Sequence, residues 1–169
     1  MGFIHPTATI DPTAIVHPTA TIGEGAYVGA AAVIEPFAKI GEGSFVDVAV
    51  YVGHFARIGK KCLIGHGAVI NLRATLEEDV YVHEYAVVGV RCHIWEEACL
   101  GWNTVIADGE TVGRDYFSFL DEIWLQSWIQ GLREGTDEYE RLHDLEEHLF
   151  EEKANAWKKA FEKIKEVNK

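Results

Sequence analysis

The run Ile22-Gly23-Glu24-Gly25-Ala26-Tyr27-Val28-Gly29 holds an aliphatic residue, a glycine, two turn-forming residues and a small residue before the next aliphatic arrives six places on. The same spacing extends in both directions. Stepping by six from Ile4 through Ile10, Val16, Ile22 and onward to Ile106 and Val112 meets nineteen aliphatic residues with no insertion between them. Four places after the aliphatic the residue is usually small, as at Ala26, Ala32, Ala38, Ser44, Ala56, Cys62, Ala68 and Cys92. A period of six is neither the 3.6 of a helix nor the simple alternation of a strand. It predicts short strands joined by tight turns, each strand sending one branched side chain into a narrow shared core.

The stretches Ile22 to Tyr27 and Ile58-Gly59-Lys60-Lys61-Cys62-Leu63 resemble the consensus of the hexapeptide-repeat left-handed parallel β-helix, in which three hexads make one triangular coil. The resemblance covers residues 4–113 and implies an all-β solenoid of about six coils, roughly 29 Å tall at a strand spacing of about 4.8 Å. After Val112 the period gives way to helical spacing, with apolar residues from Tyr116 to Leu132 and a stripe from Leu142 to Ile164. The expected organisation is therefore a β-helix over 1–113 and a C-terminal helical cap or packing segment over 114–169, with a first helix starting near Asp115.

Charge and composition narrow the function. The chain of 169 residues carries a net charge of −12, which argues against a general nucleic-acid binder and against docking on anionic lipid. No apolar run reaches the ~18 residues of a membrane span, and the N-terminus has no basic segment followed by an apolar stretch. Cys62, Cys92 and Cys99 lack metal-type spacing and fit a reducing cytoplasm, with Cys62 and Cys92 in the small-residue slot of the core. Pro6, Pro12 and Pro18 recur at one hexad position in the first coil, where proline removes donors that an unpaired strand edge would expose.

Residues eighteen apart should stack. On that basis Glu24, Glu42, Lys60, Glu78 and Glu96 are assigned to a charged wall, and Ala30, Val48, His66, Glu84 and Trp102 to a mostly small and apolar one. A third wall takes Phe37 and Phe55, Leu72 and Val90, and Arg73 and Arg91, with Lys39, Arg57, Thr75 and His93 along its corner. Two partner-seeking walls agree with the homotrimer that the fold family commonly forms, with sites between subunits.

Chemistry is sought among His54, His66, His83 and His93. The segment from Val52 to Gly65 resembles a motif of hexapeptide acyltransferases, of the UDP-N-acetylglucosamine O-acyltransferase and sugar N-acetyltransferase type. That resemblance implies His54 as general base, removing a proton from a hydroxyl or amine of a small sugar-like acceptor as it attacks an acyl thioester. Phe55 stands where the family places a polar neighbour. The implied donor is acyl-CoA or acyl carrier protein, with Arg57, Lys60, Lys61, Arg73 and Arg91 as candidates to meet its phosphates. No metal is favoured on this reading.

Two other readings stay open. Ile64-Gly65-His66-Gly67-Ala68 resembles a stretch of the γ-class carbonic anhydrases, which implies His66 as a zinc ligand. The other two ligand positions fall at Asn71 and Gly53, leaving a noncanonical set of His54, His66 and His83 as the metal alternative. The third reading is a non-catalytic trimeric scaffold, or an engineered or inactive relative, since the repeat carries none of the loop insertions that give such enzymes specificity.

Overall fold

A computed structural model describes residues 1–113 and the backbone of a strand at Phe117–Ser118. Every strand is two residues long, because each hexad bends before a third residue can pair. The strands build three parallel sheets. The first holds Phe3–Ile4, Thr21–Ile22, Lys39–Ile40, Arg57–Ile58, Thr75–Leu76, His93–Ile94 and Thr111–Val112. The second runs from Thr9–Ile10 to Phe117–Ser118, and the third from Ile15–Val16 to Val105–Ile106. Phe3 pairs with Thr21 and Thr21 with Lys39, so one coil takes eighteen residues. The result is a left-handed parallel β-solenoid of about six coils.

Phe117–Ser118 pairs with Cys99–Leu100, so the second sheet gains a strand inside the span expected to be helical from Asp115. Ser118 occupies the next step of six after Val112, and backbone pairing does not need an aliphatic there. The helices expected over the rest of 114–169 lie outside the described residues.

The core matches the repeat. From Ile22 to Leu100 the sixth-place aliphatics are buried, and the small slot holds Ala26, Ala32, Ala38, Ala56, Cys62, Ala68, Ala74 and Ala86 with essentially no exposure. Each buried branched side chain contributes about 1.5–3 kcal/mol, and the alanines leave room for them across the narrow triangle.

Corners, however, take the columns that the sequence assigned to walls. The two residues after each glycine place form the turn, and from the second coil on the second of them has positive φ. Gly25, Gly43, Gly67 and Gly109 adopt it freely, whereas Phe37, Phe55, Lys61, Arg73, Tyr85 and Arg91 are held near φ 55–59. The flat faces instead show the residues on either side of each inward aliphatic. Lys39, Arg57, Thr75 and His93 therefore lie on the first face rather than at a corner. Glycine beside the aliphatic relieves crowding where it occurs: a Cβ on Gly41 would meet the carbonyl oxygen of Gly59 on the next coil.

The first coil is closed by a different device. Asp11 accepts the Thr13 N–H at 2.8 Å, while His5 and His17 accept those of Thr7 and Thr19 at 3.3 and 3.2 Å. The three threonine hydroxyls then accept the N–H groups of Gly25, Ala31 and Phe37 on the coil above.

Candidate functional site

His54 is the first residue of the corner between the third and first sheets, and its side chain is 44% exposed. Its Nδ1 lies 4.0 Å from Glu35 Oε2, which projects from the third sheet one coil below. That distance is an electrostatic contact rather than a hydrogen bond. Phe37 and Phe55 stack along the corner at 5.0 Å, nearly parallel, and the His54 ring tilts against both. The Arg73 guanidinium sits 5.5 Å above the Phe55 ring, a cation–π contact. Arg73 donates its N–H to the His54 carbonyl, and Arg91 donates its own to that of Leu72. One corner thus unites His54 with Phe55, Arg73 and Arg91, the last three of which hexad stacking had placed together.

The remaining basic candidates lie elsewhere. Arg57 is exposed on the first face between Lys39 and Thr75. Lys60 and Lys61 turn the opposite corner of that face, where Lys60 Nζ pairs with Glu42 Oε2 at 3.2 Å. Both partners of that pair are exposed, so it adds little stability. The chain does not gather the five cations around His54.

His66 and His83 occupy the second corner and the second face. The His66 ring meets Tyr85 edge-on at 5.4 Å, and His83 is buried against Trp102 at 4.8 Å. Asn71, at a ligand position of the carbonic anhydrase pattern, uses its side-chain amide to donate to the Val88 carbonyl at 3.0 Å. Among the described residues, no group of three or more His, Cys, Asp or Glu is placed to hold a metal ion.

Cys62 and Cys92 are buried in the core. Burial pushes the Cys62 thiol up to about 12, and its Sγ donates to the Glu77 carbonyl at 3.0 Å. Burial also raises Cys92, whose Sγ donates to Ala107. Neither is a nucleophile at neutral pH.

One contact had no counterpart in the sequence reading. His93 Nε2 lies 2.8 Å from Glu77 Oε1 on the first face, with Trp95 at 4.9 Å from the imidazole. The signal was available in the repeat, because the column that holds Gly23, Gly41 and Gly59 turns to Glu77 and Trp95 in the next two coils.

Among the described residues no helix is long and apolar enough to cross a membrane. Residues 37–71, which include the His54 corner, match the family described as bacterial transferase hexapeptide (six repeats). No curated protein matches the chain. Among solved structures, the acetyltransferase domain of PglB from Neisseria gonorrhoeae, in complex with acetyl coenzyme A, is 22% identical with a TM-score of 0.65. The alignment covers 70% of this chain and 57% of that one. PerB from Caulobacter crescentus, in complex with CoA and GDP-perosamine, is 20% identical with a TM-score of 0.63, over 66% of this chain and 54% of that one. AntD from Bacillus cereus, an N-acyltransferase solved as a point mutant with dTDP and coenzyme A, is 9% identical with a TM-score of 0.51, over 74% of this chain and 91% of that one. The chain thus spans little more than half the length of the first two. With its repeat, its three parallel sheets and these likenesses, the described chain is a hexapeptide-repeat left-handed parallel β-helix.

Proposed function

We propose that the protein transfers an acyl group from an acyl-CoA to a hydroxyl or amine of a small, sugar-like acceptor, with His54 taking the proton. The observation that carries this reading is the His54 corner, an exposed imidazole facing Glu35 within the stretch that matches the bacterial transferase family. The fold neighbours that bind coenzyme A support the choice of donor over an acyl carrier protein. Arg73 and Arg91 rise from the same corner on the coils above and are suited to a donor's phosphates. Arg57, Lys60 and Lys61 lie across the first face, so they reach the same donor only along its length or from a neighbouring subunit. The third face, with Ile15, Val33, Tyr51, Val69, Val87 and Val105 outward, is the surface through which we assign a homotrimer. Three free cysteines suit a cytosolic reaction.

The test is acetyl-CoA consumption with amino-sugar and sugar acceptors. His54→Ala should lower turnover by about two to four orders of magnitude, the usual contribution of a general base. Unchanged turnover in that variant removes His54 from the role. The scaffold reading keeps one specific support, the unbroken repeat, and predicts no thioester consumption by the wild-type protein with any acceptor.

A further inference from the structure

The first face carries a second histidine whose surroundings are better arranged for proton transfer than those of His54. His93 and Glu77 come from adjacent coils, and their Nε2 and Oε1 atoms stand 2.8 Å apart, with both side chains 38% exposed. An ionised carboxylate can only accept, so a nitrogen lone pair held this close would be repelled, and the proton must sit on Nε2. The contact falls short of hydrogen-bond geometry, so the nearness of the carboxylate rather than an aligned hydrogen bond favours the proton on Nε2. Nδ1 is then the nitrogen with the free lone pair.

The neighbours of this pair are not what the repeat alone would place there. Glu77 and Trp95 replace the glycine of the three preceding coils, although a Cβ in that column crowds the adjacent backbone. Trp95 is a large hydrophobic side chain left 43% exposed beside the imidazole. Thr75 and Thr111 flank His93 in its column, with Arg57 one coil further down. An open indole face next to a lone pair, a carboxylate and two hydroxyl-bearing side chains suits a pyranose, whose C–H surface packs on the ring while its polar groups reach the acceptors.

We propose that His93, positioned by Glu77, is a second proton-accepting centre, and that it takes the hydroxyl or amine of a sugar ring stacked on Trp95. This rests on the acyl-transfer reading for its reaction but not on His54. In the step, the sugar's O–H or N–H proton passes to His93 Nδ1 while the oxygen or nitrogen bonds to the thioester carbonyl carbon. The C–S bond then breaks, and the departing thiolate takes the proton back from the imidazolium.

The experiment combines nitrogen-15 NMR of the full chain with acetyl transfer from acetyl-CoA to D-glucosamine. Wild-type His93 should show the Nε2–H tautomer, and glucosamine should shift the His93 and Trp95 ring signals but not those of Trp95→Ala protein. In a His54→Ala background, where this centre carries the turnover that is left, His93→Ala should lower kcat about 100-fold or more while the KM for acetyl-CoA stays unchanged. Glu77→Gln, which keeps shape without charge, should lose the tautomer preference and part of kcat, and Glu77→Asp should recover some of both. An Nδ1–H tautomer in the wild type, absence of glucosamine shifts at His93, or no further loss of turnover when His93→Ala is added to His54→Ala overturns the proposal. If the wild type consumes no acetyl-CoA, the acyl-transfer reading falls by itself, and the tautomer and the glucosamine shifts still decide whether this centre exists.

Discussion

Cys62 sits in a slot that alanine fills on most coils, and its thiol is held neutral by the surrounding core. Burial moves it from an ordinary 9.0 to about 12, so the folded state resists an ionisation that the unfolded chain undergoes freely. The sign follows by linkage: stability is intact below pH 9 and declines as pH rises through the window from 9 to about 12. Cys62→Ala should therefore show a constant offset in urea midpoint from the wild type below pH 9, and the offset should move in the variant's favour above it. A pH-independent offset up to about pH 11 would contradict a buried neutral thiol. The cysteines were legible in the sequence because their role is a position in the repeat. The histidines were only half legible. The His54 corner could be read because corner residues stack at a spacing of eighteen, which brings Phe37, Phe55, Arg73 and Arg91 together from position alone. The Glu77–His93 contact joins residues sixteen apart that lie on either side of a strand's inward aliphatic. A column of equivalent positions never places those two side by side.

The two-residue corner is the element that the sequence disclosed least faithfully. Its chemistry is a left-handed second residue, and glycine signals that conformation only at Gly25, Gly43, Gly67 and Gly109. Where phenylalanine, lysine, tyrosine or arginine occupies the place, local propensity is overruled by stacking against the coils above and below. That is why the charged and aromatic columns read as walls when they are edges. Each such residue carries the cost of a left-handed L-amino acid, roughly 1 kcal/mol. Lys61, with φ 55 and its side chain at an exposed corner, offers the cleanest measurement. Lys61→Gly should raise unfolding stability by up to about 1 kcal/mol, less the entropy that glycine adds to the unfolded chain. Phe55→Gly should gain less than Lys61→Gly, because it also forfeits the ring stack with Phe37 and the Arg73 cation–π contact. A destabilised Lys61→Gly, measured by urea denaturation, would mean that the lysine stem packs more strongly than the backbone strains.

At the scale of the whole described solenoid, the three faces differ in kind. The first is polar, with Lys39, Arg57, Thr75, Glu77 and His93. The second is aromatic, with Tyr27 and Phe45 stacked at 4.6 Å. The third carries a mainly aliphatic column, interrupted by Tyr51, with Ile15 65% and Val105 69% exposed at its two ends. An aliphatic column this tall is costly to leave in water, which is the ground for the homotrimer proposed above. If the proposed homotrimer forms through this column, Val69→Asp at its centre should give monomer by light scattering without loss of the β-solenoid signal. A wild-type monomer at micromolar concentration would end the trimer assignment. Most of this architecture was written in the spacing of aliphatic residues, since one inward side chain per six sets strand, core and coil together. What the spacing left out was which outward residues share a face, because that depends on where the backbone bends. The same register also makes the length of the chain behave like the thread of a screw. Eighteen added residues advance the thread by one full turn and return every later side chain to its own face. Six or twelve leave the core intact but carry everything downstream round to a different side, parting Glu77 from His93 if they fall between. Evolution can therefore lengthen this prism in whole turns at little expense, whereas any smaller step rewrites its surface.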